Sequence, residues 1–120
     1  MKIRISNKNR KYCLDVLGNQ KGNRVPIIMY PCHKGPNQRF NYNRKTRRIR
    51  SKSTNKCMDV INNHIIQNKC NSKKTQKWIH KKKQWVSLSN RKCLDVEGGH
   101  FENGRLITYP CHKGPNQRFK

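Results

Sequence analysis

The sequence predicts an all-β domain of three four-stranded repeats that share one core. Three observations carry that prediction. Tyr30-Pro31-Cys32-His33-Lys34-Gly35-Pro36-Asn37-Gln38-Arg39-Phe40 recurs residue for residue from Tyr109 to Phe119. Cys-Leu-Asp-Val precedes each copy, at Cys13–Val16 and Cys93–Val96, and a divergent Cys57-Met58-Asp59-Val60 lies between them. Apolar residues come in short runs broken by Asn, Gly, Ser and Lys, with no helical period held over several turns, which is a β pattern. The repeats span 1–42, 43–84 and 85–120, and each closes on Gln-x-aromatic, at Gln38, Gln76 and Gln117.

In the first repeat, the runs Ile3–Ser6, Tyr12–Val16, Val25–Tyr30 and Arg39–Tyr42 read as strands. In the second they are Thr46–Ser51, Cys57–Ile61, Ile65–Asn68 and Lys77–His80. The third offers Trp85–Ser89, Cys93–Val96, Leu106–Tyr109 and a stub at Phe119. Turn residues separate the runs, among them Gly18, Gly22, Gly35, Gly104, Gly114 and the Asn62-Asn63 pair. One copy could not bury its own face, so the three must pool their apolar residues. The expected core is Val16, Val25, Ile27, Phe40, Ile49, Val60, Ile65, Trp78, Val86, Val96, Leu106 and Phe119.

Composition narrows the function. The 120 residues hold 29 Lys plus Arg against 5 Asp plus Glu, a formal net charge of +24, and are 32% hydrophobic. That length makes one domain, and the apolar content does not support a large dry enzyme core. Charge of this size attracts polyanions, because releasing counterions condensed on them favours binding whatever their sequence. The amino terminus is charged from Lys2 onward and has no apolar run of signal-peptide length, so a cytoplasmic location is expected. No stretch approaches the roughly 20 apolar residues of a membrane-spanning helix.

The ordered set of Cys-x-Asp, Tyr-Pro-Cys and Gln-x-aromatic motifs resembles the ricin B-type lectin family over essentially the whole chain. The resemblance implies a β-trefoil and a galactose-type sugar site. In such a site the sugar stacks on the aromatic before the second cysteine and is held by the Asp of Cys-x-Asp and an Asn-Gln pair. Those positions fall on Asp15, Tyr30, Asn37 and Gln38 in the first repeat, and on Asp95, Tyr109, Asn116 and Gln117 in the third. An aromatic face beside a carboxylate suits a sugar, whose one face is apolar C–H while its hydroxyls need acceptors. The middle repeat keeps Asp59 but has Asn68 in place of the aromatic. Two residues before the aromatic, where family members often carry Gln, stand Ile28 and Ile107. The alternative role for Asp15, Asp95 and the Gln residues is to brace turns, and Asp59, persisting without its aromatic, favours that role.

The cysteines fall two per repeat, Cys13 with Cys32, Cys57 with Cys70 and Cys93 with Cys111. Secreted family members bridge such pairs. In a reducing compartment buried apolar thiols are expected instead, with disulfides as the alternative. No Cys-x-x-Cys pair is present, and adjacent Cys-His residues face apart, so no metal site and no cofactor are expected. Outside the repeated Asp set the only carboxylates are Glu97 and Glu102, and no nucleophile and base converge, so no catalytic residues are assigned.

The charge is uneven. Residues 1–42 carry 9 basic and 1 acidic side chains, residues 43–84 carry 14 and 1, and residues 85–120 carry 6 and 3. The middle repeat, without its sugar aromatic, thus carries +13 of the +24. Its cations are Arg44, Lys45, Arg47, Arg48, Arg50 and Lys52, then Lys73 and Lys74, then Lys81, Lys82 and Lys83. Alternation along a strand would set Arg48, Arg50 and Lys52 on one face. Such a row matches phosphates, and Arg also stacks on unpaired bases. The expectation is therefore a structural RNA-binding protein, a small component of a ribosome or other ribonucleoprotein contacting rRNA and neighbouring proteins. A galactose-type lectin using the first and third repeats is the alternative. An anionic membrane or heparin-like glycan would engage the same cations.

Overall fold

A computed structural model describes residues 1–5 and 11–120. The strands are β1 (Tyr12–Val16), β2 (Val25–Pro31), β3 (Phe40–Asn43), β4 (Arg48–Ser51), β5 (Cys57–Ile61), β6 (His64–Asn68), β7 (Trp78–Lys81), β8 (Gln84–Ser87), β9 (Cys93–Val96) and β10 (Leu106–Tyr109). The two remaining expected strands are reduced to isolated bridges, Arg4 to Cys13 and Ile5 to Phe119. Ser6, the end of the expected first strand, lies outside the described residues. Among the described residues all helical segments are three-residue 3-10 turns, and no helix is long and apolar enough to cross a membrane.

Each repeat contributes an antiparallel hairpin whose second strand carries the aromatic position: β1–β2, β5–β6 and β9–β10. The second strands meet one another around an approximate threefold axis. β2 pairs with β6 at Val25 to Gln67, β10 with β6 at Ile107 to His64, and Ile28 bridges to Arg105. The hairpins β3–β4 and β7–β8 join successive repeats, and the Ile5 to Phe119 bridge closes the ring. This is the β-trefoil that the motifs imply.

The core is one cluster fed by all three repeats. Phe40, Trp78 and Phe119, the aromatics of the three Gln-x-aromatic motifs, are all fully buried beside Ile3, Ile5 and Ile49. Eleven of the twelve expected core residues are buried, and Val86 is the exception. Trp85 takes its place, because β8 alternates as β4 does, with Trp85 and Ser87 inward where β4 has Ile49 and Ser51. The Cys-x-Asp-Val strands are buried on both faces, which adds Leu14, Met58 and Leu94 to the core.

The cysteines form three disulfides, Cys13–Cys32, Cys57–Cys70 and Cys93–Cys111. This corrects the expectation of free thiols. The hairpin register explains it: Cys13 lies opposite Tyr30 and Cys93 opposite Tyr109, which brings Cys32 and Cys111, two residues beyond those aromatics, to Cα separations of 5.1 Å from their partners. Bridging geometry requires separations of that order.

Candidate functional site

In the first repeat the end of β1, the exposed edge of β2 and the loop 32–39 converge on the Asp15 carboxylate, which is 3% exposed. Asn37 Nδ2 donates to its Oδ1 at 2.8 Å, and Gln38 Nε2 donates to its Oδ2 at 2.9 Å. Gln38, fully buried, also donates to the Pro31 carbonyl at 3.0 Å and accepts from the His33 backbone N–H at 2.8 Å. Gln38 therefore ties the loop to the strand, and Asp15 anchors Gln38. The bracing role is real, yet it leaves the carboxylate facing a cleft of about 320 Å³ bordered by Tyr30, Asn37, His33, Ile28 and Asn103. Tyr30 is 42% exposed, so its ring is open to stacking.

His33 completes the arrangement. The Gly35 backbone N–H donates to His33 Nδ1 at 2.8 Å, so the neutral ring carries its proton on Nε2, which points at Asp15 Oδ2 from 3.3 Å. A side chain at Gly35 would press on the imidazole, which explains glycine there. The His33 and Tyr30 rings meet edge to face at 6.0 Å.

The third repeat reproduces the geometry. Asn116 donates to Asp95 Oδ1 at 3.1 Å, Gln117 to Asp95 Oδ2 at 2.8 Å, and His112 Nε2 lies 3.5 Å from that oxygen, with Gly114 donating to Nδ1. Tyr109 is 52% exposed and meets His112 edge to face at 6.2 Å. Burial pushes the Asp95 carboxyl above its ordinary pKa, against the pull of Gln117, His112 and Asn116, which favour the anion.

The middle repeat keeps the brace and loses the platform. Gln76 donates to Asp59 Oδ2 at 3.1 Å, and the Asn68 amide, where the ring would be, donates to the same oxygen at 3.0 Å. Thr75 stands where the other repeats have Asn37 and Asn116. Asp59 Oδ1 is consequently buried without a hydrogen-bond partner.

Two elements of the cleft were not assigned from sequence. His33 and His112 sit inside the repeated motif, and that exact recurrence was the available signal. Asn103 comes from the third repeat into the first repeat's cleft, held there by Met29 N–H donating to the Gly104 carbonyl at 2.9 Å. No local pattern announces it. A Cβ at Gly104 would collide with the His100 carbonyl oxygen, so the loop needs glycine at that point. Ile28 and Ile107 lie directly opposite Asp15 and Asp95 in the hairpin registers and make an apolar wall in place of a polar one.

The cations of the middle repeat form a separate surface. Arg44, Lys45 and Arg47 are exposed on the β3–β4 turn, and Arg50 and Lys52 are exposed on and just beyond β4. Arg48 is half-buried, donating to the Asn71 carbonyl at 3.0 Å, while Ile49 and Ser51 point inward. Lys73 and Lys74 project from the turn before β7, and Lys81–Lys83 from the β7–β8 turn. Among the described residues no group of three or more His, Cys, Asp or Glu could hold a metal ion.

The Ricin-type beta-trefoil lectin domain model matches residues 1–119. The C-half of an earthworm R-type lectin, solved in complex with GalNAc, superposes with a TM-score of 0.85 at 25% identity, covering 100% of this chain and 97% of that one. The designed threefold-symmetric protein ThreeFoil superposes with a TM-score of 0.87 at 22% identity, covering 99% and 94%. The β-trefoil lectin of the Vibrio vulnificus hemolysin, solved with N-acetyl-D-lactosamine, gives 0.82 at 22% identity, covering 99% and 90%. No curated protein sequence matches. These findings overturn the expectation of an RNA-binding ribosomal or ribonucleoprotein component with rRNA and protein neighbours as partners. Net charge reports attraction to polyanions in general and does not identify one, whereas the family model matches residues 1–119, essentially the whole fold. The chain belongs to the ricin-type β-trefoil lectin domain family.

Proposed function

We propose that the chain is a non-catalytic carbohydrate-binding module that takes a galactose-type sugar in its first and third repeats. One observation carries the reading: an exposed tyrosine ring stands beside a buried carboxylate that an asparagine and a glutamine orient, and this constellation occurs twice, at Tyr30 with Asp15 and at Tyr109 with Asp95. The ring takes the apolar face of the sugar and the Asp and Asn groups take its hydroxyls. Asn103 and Ile28 add a polar and an apolar wall at the first site. The three disulfides support an oxidising compartment rather than the cytoplasm, and thiol counting on protein from its native source tests that placement.

Calorimetric titration with GalNAc and lactose should give two sites per chain. Tyr30→Ala and Tyr109→Ala should each remove one of them, and the double substitution both. A chain that binds neither sugar at tens of millimolar, or a double variant that binds as the parent does, refutes the reading.

A further inference from the structure

The middle repeat has no sugar platform, yet it holds 14 of the 29 cations. Its only acidic residue is Asp59, which is 3% exposed and committed to the internal brace. Among the described residues the only ion pairs are His33 with Asp15 and His112 with Asp95, so no lysine or arginine there is paired with a carboxylate. Unneutralised charge at this density opposes the compact state unless an outside anion relieves it.

The surface has a definite shape. Over β3 and β4 the register places Asn41 opposite Arg50 and Asn43 opposite Arg48, so a shallow cleft of about 200 Å³ is floored by alternating amide and guanidinium donors. Successive arginines on that face stand about 6.6 Å apart, two strand residues. The cleft continues past Thr46 and Arg48 into a second of about 280 Å³, edged by Asn71, Ser72 and Lys77. Arg44 and Arg47 stand on the turn between Asn43 and Arg48, where they line a neighbouring cleft with Tyr42 and Lys120, and Lys73 and Lys74 are exposed at the turn before β7.

We propose that this face binds a polysaccharide bearing sulfate or carboxylate groups, as a second glycan site distinct from the Tyr30 and Tyr109 clefts. Sulfate and carboxylate oxygens accept from guanidinium forks, amides and hydroxyls alike, which are the donors present. The disulfides favour this class of polyanion over RNA, because a chain that keeps three bridges works where sulfated and uronate glycans are the abundant polyanions. Of the exposed large hydrophobics, Leu17, Tyr30, Ile61 and Tyr109 line none of these clefts, and Met1, which shares a cleft with Arg44 and Arg47, is a single side chain, too small an apolar patch to anchor the face in a bilayer.

The test uses heparin as the probe on the intact, oxidised chain. Arg44→Gln, Arg47→Asn and Arg50→Gln are combined. Among the described residues none of the three side chains donates a hydrogen bond within the chain, and asparagine accepts the positive φ of 62° at position 47. Heparin affinity should fall at least about tenfold at physiological salt, and the slope of log affinity against log salt should shrink by roughly two to three. A control variant removing the same charge elsewhere, Lys11→Gln with Lys34→Gln and Lys113→Gln, should lose clearly less. Excess lactose should not displace heparin, and Tyr30→Ala with Tyr109→Ala should leave heparin binding intact, so the two glycan proposals fail independently. Equal loss in the control variant, binding to fully desulfated and N-acetylated heparin as tight as to heparin, or tighter binding to poly(U) at matched charge overturns the proposal.

Discussion

Asp15 and Asp59 occupy the same position in two repeats but satisfy their oxygens differently, and that difference predicts opposite responses to one substitution. Asp15 Oδ1 accepts from Asn37, and Oδ2 accepts from Gln38 with His33 beside it. In Asp15→Asn the new NH2 must face a donor whichever way the amide is turned. A hydrogen bond to a buried charged group contributes about 1.5–3 kcal/mol, so losing one and opposing another should cost about 3 kcal/mol. Asp59 Oδ2 accepts from both Asn68 and Gln76 while Oδ1 has no partner. In Asp59→Asn the carbonyl keeps both bonds and the NH2 takes the empty side. An unpaired buried atom on an anion is exchanged for one on a neutral amide, and since such atoms cost about 1–3 kcal/mol, the change should lie between neutral and about 1 kcal/mol stabilising. Guanidinium chloride unfolding at pH 7, followed by Trp78 and Trp85 fluorescence, measures both, and the denaturant itself screens the charge lost from the basic middle repeat. The midpoints should move apart with unchanged slopes. If Asp59→Asn loses as much stability as Asp15→Asn, to within about 1 kcal/mol, the account of how these carboxylates are satisfied is wrong.

Replacing Cys57 and Cys70 together by serine opens a loop of 13-residue separation and should cost about 3 kcal/mol by chain entropy, read from the same unfolding curves. Asp95 should titrate by carbon-13 NMR above the ordinary 3.8, because burial disfavours its anion. Its folded pKa being raised, its contribution to stability is full below 3.8 and is lost as pH rises through the folded value, while sugar binding in the third repeat should weaken as pH falls through that same value.

The fold was legible in the sequence because repetition is: three copies of Cys-x-Asp and Gln-x-aromatic place the hairpins and the central aromatics without any appeal to propensity. What was misread had local causes. Val86 and Trp85 are adjacent, and a four-residue strand is too short for apolar alternation to fix its phase. Ile3 and Ile5 are fully inside, although the strand they were expected to form is only a pair of bridges. The tyrosine, aspartate and asparagine positions could be aligned by motif, but Asn103 reaches the first cleft from a different repeat, which only the closed ring reveals. The state of the cysteines depends on compartment, and the identity of a polyanion depends on surface shape, neither of which charge counting reaches.

Each disulfide joins two cysteines of one repeat, and each glutamine brace is likewise internal to its repeat. Covalent reinforcement therefore stops at the repeat boundaries, and cohesion across them belongs to the common core, the β3–β4 and β7–β8 pairings, the contacts of β6 with β2 and β10, and the Ile28–Arg105 and Ile5–Phe119 bridges. A protease that nicks the arginine-rich turn between β3 and β4 would leave two fragments that stay assembled in native buffer. The same fragments would come apart in denaturant without any reducing agent, and on dilution they would find each other as separate chains.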